Sequence, residues 1–388
     1  MCESGHKLNI GRKPYVKIGI DGRNLTSPLS GISRYVVCAA SALVARGHEI
    51  TLYLPSKPHP SIPSLDFAAV RIDSAQSVIA RHAWSLLTLP RLVRRDRPTL
   101  FWGPAHRLPP MRIGSIPKAL TIHDLVWIRA PETMRRSTLL GEQVFMRAAL
   151  SRTDLVLADS DATKKDIEEI WPRYRVPIRT VHAGWEIRSS ACVAQSECAD
   201  GSLPTDYLLF VGTLEPRKNL SRLLEAWALL TPEQRAGHKL LIIGARGWGK
   251  TDLRETIERL GLGTSVILSG FVDEGRLDHI YRCASGLVMP SLYEGFGLPV
   301  VEAQARGVSV LVSNIASLPE VAGKDAILVD PRDIKSIRDG LVAIIKLDRN
   351  DPDRRRRALE NASHFTWQRM AEKTERAFED LLTSRRTY

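Results

Sequence analysis

The chain has 388 residues, 44% of them hydrophobic and 25% charged, with a net charge of +12. That length exceeds the roughly 250–300 residues at which single cores usually divide, so two domains are expected. The composition is that of an ordinary globular protein. No run reaches the roughly 18 consecutive apolar residues of a membrane span, and Met1 to Lys7 lack an apolar signal core.

The five cysteines are odd in number and show neither paired nor metal-ligand spacing, which points to a reduced, cytosolic protein without structural metal. The positive charge is uneven: +11 over residues 1–199 and +1 over residues 200–388. This asymmetry suggests an anionic partner such as nucleic acid, a phospholipid surface or a phosphate-bearing substrate, although plain solubility would also account for it.

Val16 to Ile20 forms the first expected strand. Its loop leads to Ser30-Gly31-Ile32-Ser33-Arg34-Tyr35, which opens an amphipathic helix ending at Gly47. Strands follow at 49–54 and 69–72. Residues 76–97 have helical spacing, with Ile79, Trp84, Leu86, Leu87, Leu89, Leu92 and Val93 alongside five arginines, interrupted by Pro90. Such a basic amphipathic segment can lie on a membrane surface or simply pack on a sheet. Further strands are expected at 101–103, 118–122, 154–158 and 178–181. The strand 118–122 delivers His123-Asp124 to its carboxyl end, where open α/β sheets place their ligands.

Residues 186–206 are polar, small and aperiodic, the signature of a linker. Beyond them, strands at 207–211, 239–243, 266–268, 286–289, 308–312 and 326–329 alternate with helical patterns. Alternation of this kind predicts a parallel, doubly wound sheet. The first half reads the same way, so the fold class is α/β, with two tandem Rossmann-like domains. The tail from Phe365 to Leu382 is one more amphipathic helix. Arg354 to Arg357 reads as a solvated basic face.

Two stretches concentrate the chemistry. Gly212-Thr213-Leu214-Glu215-Pro216-Arg217-Lys218-Asn219 ends a strand with two adjacent cations, suited to a diphosphate or merely solvated. Pro290-Ser291-Leu292-Tyr293-Glu294-Gly295-Phe296-Gly297-Leu298-Pro299 leads from a strand through a glycine-spaced turn into a helix that carries Glu302. Backbone amides at such a turn suit phosphate, while two carboxylates suit sugar or ribose hydroxyls. Read alone, the corner fits equally an ordinary turn with two solvated glutamates. Neither expected domain shows the Gly-x-Gly-x-x-Gly of a nicotinamide-dependent dehydrogenase after its first strand.

Together these phrases resemble the family 4 retaining glycosyltransferases of GT-B fold. Similarity continues through Ser317 to Gly323 and Leu328 to Pro331, and reaches back to His123-Asp124-Leu125 and Gly31 to Tyr35. The resemblance implies an acceptor-binding domain over residues 1–190, joined by the C-terminal helix 365–388. A linker at 191–206 and a sugar-nucleotide domain at 207–364 would follow, with the active site in the cleft between the domains.

It further implies that Glu302 holds ribose hydroxyls and Glu294 sits beside the transferred sugar, where Gly295, Phe296 and Gly297 bind its hydroxyls. Gly297 and Leu298 would also bind phosphate, and Arg217 with Lys218 would balance the departing diphosphate. His123 would contact the sugar and orient the acceptor, and the loop at Gly31 would close over the diphosphate. Glu294, His123 and Lys218 form the expected catalytic set. No metal or other cofactor is expected, since members of this fold lack a metal-binding Asp-x-Asp and the protein's own charges can stabilise the leaving group.

Many relatives carry arginine where Thr213 stands. That departure resembles the mannosyltransferase-like subgroup making bacterial surface polysaccharide and lipopolysaccharide. The implied reaction moves a hexose, with mannose from GDP-mannose as the leading choice and UDP-sugars as the alternative. The acceptor would be a glycan or a polyprenyl-diphosphate-linked saccharide. The protein would be cytoplasmic, in peripheral contact with an anionic inner membrane, and would not bind nucleic acid. A GT-B sugar-nucleotide epimerase and a non-catalytic sugar-nucleotide-binding protein are the alternatives.

Overall fold

The computed structural model describes residues 16–75, 77–185, 203–249 and 252–385. The expected linker at 191–206 therefore lies outside the described residues except for 203–206. The chain falls into two compact units: Met1–Trp102 with Pro109–Lys118, and Gly103–Leu108 with Ala119–Tyr388.

In the first unit, β1 (Lys17–Asp21), β2 (Glu49–Leu54), β3 (Ala69–Ile72) and β4 (Leu100–Gly103) lie in the order β3-β2-β1-β4. β1 pairs in parallel with β2 from Lys17↔Glu49 and with β4 from Ile18↔Leu100. The helix Gly31–Ala45 starts where the sequence places it. Ser30 caps it by accepting from the Ser33 amide, and the Ser33 hydroxyl reciprocates to the Ser30 backbone. Tyr35, Val36, Ala39, Ala40 and Leu43 form its buried stripe.

The single helix expected over 76–97 is three pieces: Val78–Ala83, a wider π-helical turn at Trp84–Thr88, and Leu89–Asp96. Pro90 lacks the N–H that would continue the α-helical ladder, so the register loosens just before it. Trp84, Leu89 and Val93 turn inward, whereas Ile79, Leu86 and Leu87 face solvent.

In the second unit, β5 (Lys118–Ile122), β6 (Leu155–Ala158) and β7 (Ile178–Thr180) run side by side in parallel. A six-stranded parallel sheet follows: β8 (Tyr207–Val211), β9 (Lys239–Ile243), β10 (Val266–Gly270), β11 (Gly286–Met289), β12 (Val310–Ser313) and β13 (Ile327–Val329), ordered β10-β9-β8-β11-β12-β13. β8, β9, β11 and β12 are almost continuously apolar and buried, as strands covered on both faces should be. Leu208, Phe210, Leu240, Ile242, Val288 and Leu311 meet Leu223, Leu224 and Trp227 of the helix Leu220–Ala228. Ile337, Leu341 and Ile344 of the helix Ile334–Ile345 join the same core.

The C-terminal helix Trp367–Ser384 buries Met370, Ala371, Thr374 and Phe378. It is tied back through Arg385, which donates to Asp154 at 2.5 Å. Cys283 is disulfide-bonded, against the expectation of five reduced cysteines. Pairing depends on approach in space, which linear spacing does not reveal. No helix among the described residues is long and apolar enough to cross a membrane.

Candidate active site

The order of the six-stranded sheet reverses between β8 and β11, and an open α/β sheet leaves a crevice at the carboxyl ends of such a pair. The two stretches singled out by sequence begin at those ends. Asn219 fastens them together. Its backbone is left-handed (φ 60°), and its side-chain amide donates to the carbonyls of Pro290 at 2.9 Å and Pro331 at 2.7 Å. The Leu292 amide adds a bond to the Arg217 carbonyl at 2.8 Å.

This fastening assembles a four-charge cluster. Lys218 Nζ donates to Glu294 Oε1 at 2.7 Å, and Arg217 Nη1 donates to Glu294 Oε2. The same Nη1 reaches the Tyr293 carbonyl at 2.9 Å, while Nη2 pairs with Glu215 Oε1 at 2.7 Å. Glu215, Lys218 and Glu294 are buried. Two cations and two carboxylates balance, the condition under which buried charge is tolerated.

Each group responds to the others. Burial favours the neutral acid at Glu294, but Arg217 and Lys218 overcome it and lower the carboxyl to about 2. Burial works against the Arg217 charge, yet Glu294 and Glu215 raise its affinity for the proton. Burial lowers the Lys218 ammonium, with Glu294 opposing and Arg217 reinforcing. The two expected diphosphate cations and the expected sugar carboxylate are thus brought into direct contact.

The turn after Glu294 depends on its glycines. Gly297 has φ +97° and caps the helix Leu298–Gln304, with Pro299 in the first turn. A Cβ on Gly295 would sit 1.9 Å from the His123 carbonyl oxygen, so the β5 loop can lie against this turn only because position 295 has no side chain. Ser317 holds the same turn from the other side, donating to the carbonyls of Glu294 at 2.9 Å and Phe296 at 3.1 Å. The Phe296 ring packs against Phe365 and His182, with ring centroids 5.5 Å and 6.2 Å away.

His123 is brought to the turn by its backbone, while its ring points elsewhere. Nδ1 lies 2.5 Å from Asp159 Oδ2 and Nε2 lies 2.7 Å from the Pro104 carbonyl. Both partners accept only, so both ring nitrogens donate and the ring is an imidazolium. Burial opposes that charge, but Asp159, the Pro104 carbonyl and Asp124 outweigh it and raise the imidazole above its ordinary value.

Tyr293 completes the junction. Its hydroxyl donates to Asp166 Oδ2 at 2.7 Å and accepts from the Leu125 amide at 3.2 Å. Glu302 stands one turn into the helix and accepts from the Tyr281 hydroxyl at 2.8 Å. Arg306 donates to the Glu302 carbonyl at 2.6 Å and pairs with Asp278. Gly31 opens its helix in the first unit, and a Cβ there would meet nothing within 4 Å.

Sequence reasoning gave no role to Asp159, Asp166, Tyr293, Glu215 or Ser317. Asp159 had an available signal: it directly follows β6 as His123 directly follows β5. Asp166 and Ser317 act across the chain, and no local pattern marks them.

Among the described residues one trio has metal-ligand proximity: Asp161, His182 and Glu320. Its atoms are already engaged. His182 Nε2 lies 2.6 Å from Glu320 Oε1, and the Glu320 oxygens accept from the amides of Asp161 at 2.9 Å and Ala162 at 3.2 Å. Lys373 Nζ stands 3.2 Å from His182 Nδ1, a cation where a metal ligand set would want none.

The family model "Glycosyl transferases group 1" matches residues 202–365, and "Glycosyltransferase Family 4" matches residues 29–187. The O-antigen chain mannosyltransferase B of Escherichia coli is 30% identical over 309 residues, covering 77% of this chain and 77% of that protein. Among solved structures, a sucrose-phosphate synthase from Thermosynechococcus elongatus has a TM-score of 0.72 at 21% identity, covering 95% of this chain and 99% of that one. Anabaena Alr3699/HepE, solved in complex with UDP and glucose, has a TM-score of 0.72 at 18% identity, covering 94% and 100%. The last two likenesses establish the fold: two parallel-sheet, Rossmann-like domains. The chain belongs to the GT-B glycosyltransferases, related to family 4 and to the bacterial mannosyltransferases.

Proposed function

We propose that the chain is a retaining, metal-independent hexosyltransferase that moves mannose from GDP-mannose to a glycan or polyprenyl-diphosphate-linked acceptor in surface polysaccharide or lipopolysaccharide synthesis. The observation that carries this reading is the Arg217–Lys218–Glu294 cluster at the switch between β8 and β11. Support for mannose comes from the Escherichia coli relative. Support for a nucleoside diphosphate donor comes from the Anabaena structure with UDP.

Breaking a glycosyl–phosphate bond leaves negative charge on the diphosphate. Arg217 and Lys218 supply fixed positive charge there, and preorganised charge of this kind lowers such barriers in a dry site. Gly297 and Leu298 offer amides to the phosphate, Gly295 and Phe296 line the sugar, and Glu302 takes the ribose hydroxyls. Glu294 orients the sugar, and Gly31 opens the loop that closes over the diphosphate.

Neither obvious side chain suits the role of base. The Glu294 carboxyl is lowered to about 2 and both its oxygens are engaged, while the His123 ring donates from both nitrogens. In this reading the acceptor hydroxyl therefore gives its proton to the leaving phosphate, and attack occurs on the face the diphosphate leaves. His123, whose ring nitrogens are held by Asp159 and the Pro104 carbonyl, acts on sugar and acceptor through its positive charge rather than by a ring hydrogen bond.

We place the donor domain at 207–364 and the acceptor domain at 1–190, completed by the C-terminal helix. The positive charge of the first half would lie at the cytoplasmic face of an anionic membrane. A panel of GDP-mannose, UDP-glucose and other sugar nucleotides, assayed for nucleoside diphosphate release with and without chelator, tests the proposal. GDP-mannose should lead in both conditions. A faster UDP-sugar would overturn the donor, loss of activity with chelator the metal independence, and no release from any donor the transferase reading.

A further inference from the structure

A second basic site lies at the opposite end of the six-stranded sheet. Ser285 and Ser309 immediately precede β11 and β12, so this end is about 13 Å along β11 from the strand end that leads to Glu294. A cavity of about 200 Å³ opens there, lined among others by Arg282, Ser285, Arg349, Asp351, Arg354 and Arg355. It has room for a small anion and several waters, each of which takes about 30 Å³.

Four guanidinium groups face one carboxylate. Asp351 Oδ1 already accepts from the amides of Asp353 at 2.9 Å and Arg354 at 3.2 Å, capping the helix Pro352–Ala362. Arg282 is paired with Asp278 at 2.7 Å, and Arg349 lies 3.5 Å from Asp206. The other two arginines are less satisfied. Arg354 Nε is sealed from solvent without a hydrogen-bond partner and stands 3.8 Å from Asp351 Oδ2. Arg355 lies over Gly307, where a Cβ would be 2.4 Å from its Cγ, and no carboxylate pairs with it among the described residues.

Ser285 is 7% exposed, and its Oγ also lacks a partner. Buried polar groups in native proteins are normally satisfied, so orphans lining one cavity imply an occupant. Water would satisfy hydrogen bonds but leave the excess positive charge uncompensated. Guanidinium forks match the geometry of a tetrahedral oxyanion.

We propose that this cavity binds a phosphate group, held by Arg354, Arg355 and the Ser285 hydroxyl, at a site separate from the one at Glu294. The test is calorimetric titration of inorganic phosphate into the full chain at low ionic strength. Wild type should show a saturable site that persists in Lys218→Ala, because Lys218 lies at the other end of the sheet. Any binding that weakens with Lys218 while this site remains belongs to the site at Glu294. Arg354→Gln/Arg355→Gln should bind at least about tenfold more weakly. Melting temperature without phosphate checks that each variant folds.

If the double variant does not fold, Ser285→Ala and Arg355→Met singly should each weaken binding about threefold or more. Displacement of phosphate by glycerol phosphate would extend the site to phosphomonoesters, and failure to displace would confine it to the free ion. Absence of saturable binding in wild type, equal affinity in folded cavity variants, or loss of binding in Lys218→Ala alone would overturn the proposal.

Discussion

Lys218 and Glu294 meet at 2.7 Å, both almost sealed from water, with Arg217 on the other oxygen of the same carboxylate. Removing that carboxylate leaves the buried Lys218 without a counter-ion and Arg217 with Glu215 alone. Glu294→Gln should therefore destabilise the protein by about 3–5 kcal/mol, the usual cost of leaving a buried charge unpaired. Urea denaturation at pH 7 measures it. The lowering from 4.5 to about 2 corresponds to about 3 kcal/mol. Because the folded-state value is depressed, this contribution is complete above pH 4.5 and disappears as the pH falls towards 2. Glu294→Gln should flatten that part of the stability profile.

Lys218→Met keeps most of the aliphatic stem while deleting the ammonium, and leaves Glu294 paired with Arg217. Turnover should fall about 10²–10³-fold, the effect of removing one preorganised donor from a developing charge. Stability should change far less than in Glu294→Gln. Initial rates of nucleoside diphosphate release, alongside melting curves, separate the two, and near-wild-type turnover would count against the diphosphate role.

His123 should be doubly protonated at neutral pH, visible in the ¹⁵N shifts of its ring. Its folded-state value is raised above 6.5, so its contribution to stability is complete below pH 6.5 and fades as the pH climbs through the raised value. Asp159→Asn removes the charge that opposes burial. The ring should then titrate lower, and the melting-temperature profile should lose that dependence.

Tyr293→Phe deletes the hydroxyl shared by Asp166 and the Leu125 amide. A loss of about 1–3 kcal/mol is expected from the buried groups left unsatisfied. Chemical denaturation tests this directly, and a change below about 0.5 kcal/mol would mean that water replaces the hydroxyl.

Glu302→Ala should weaken binding of the nucleoside diphosphate by about tenfold or more, if two ribose hydroxyls bond to the carboxylate. Tyr281→Phe is the control, since it removes one internal partner of Glu302 Oε2 and keeps the carboxylate. Unchanged affinity in Glu302→Ala would remove the ribose assignment.

The positions of β5, β6, β8, β9, β11 and β12 were legible because buried parallel strands are short apolar runs between turn signals. The part-exposed strands β7, β10 and β13 were marked by their place in the alternation. The helix Arg136–Leu150 was not. It leaves Leu140, Val144 and Phe145 exposed, so its apolar residues do not mark a single inward face. The segment 76–97 misled for a related reason: its helical period was real, but Pro90 shifted the register and put Ile79 and Leu86 outside.

In the site, the residue types were legible and their mutual engagement was not. Arg217-Lys218 and Glu294 are 76 residues or more apart along the chain. Only the fastening by Asn219 shows that the carboxylate satisfies both cations. Asp159 and Asp166 likewise matter through what folds onto them.

The contact between Gly295 and the His123 carbonyl also limits how this protein can diverge. A methyl group at 295 would wedge the two loops apart, so that position is closed to every side chain. Any change of sugar preference has to be written at neighbours that tolerate variation in size, while 295 stays blank. Duplicated copies of this chain could acquire new donors and still be recognisable by that one missing atom.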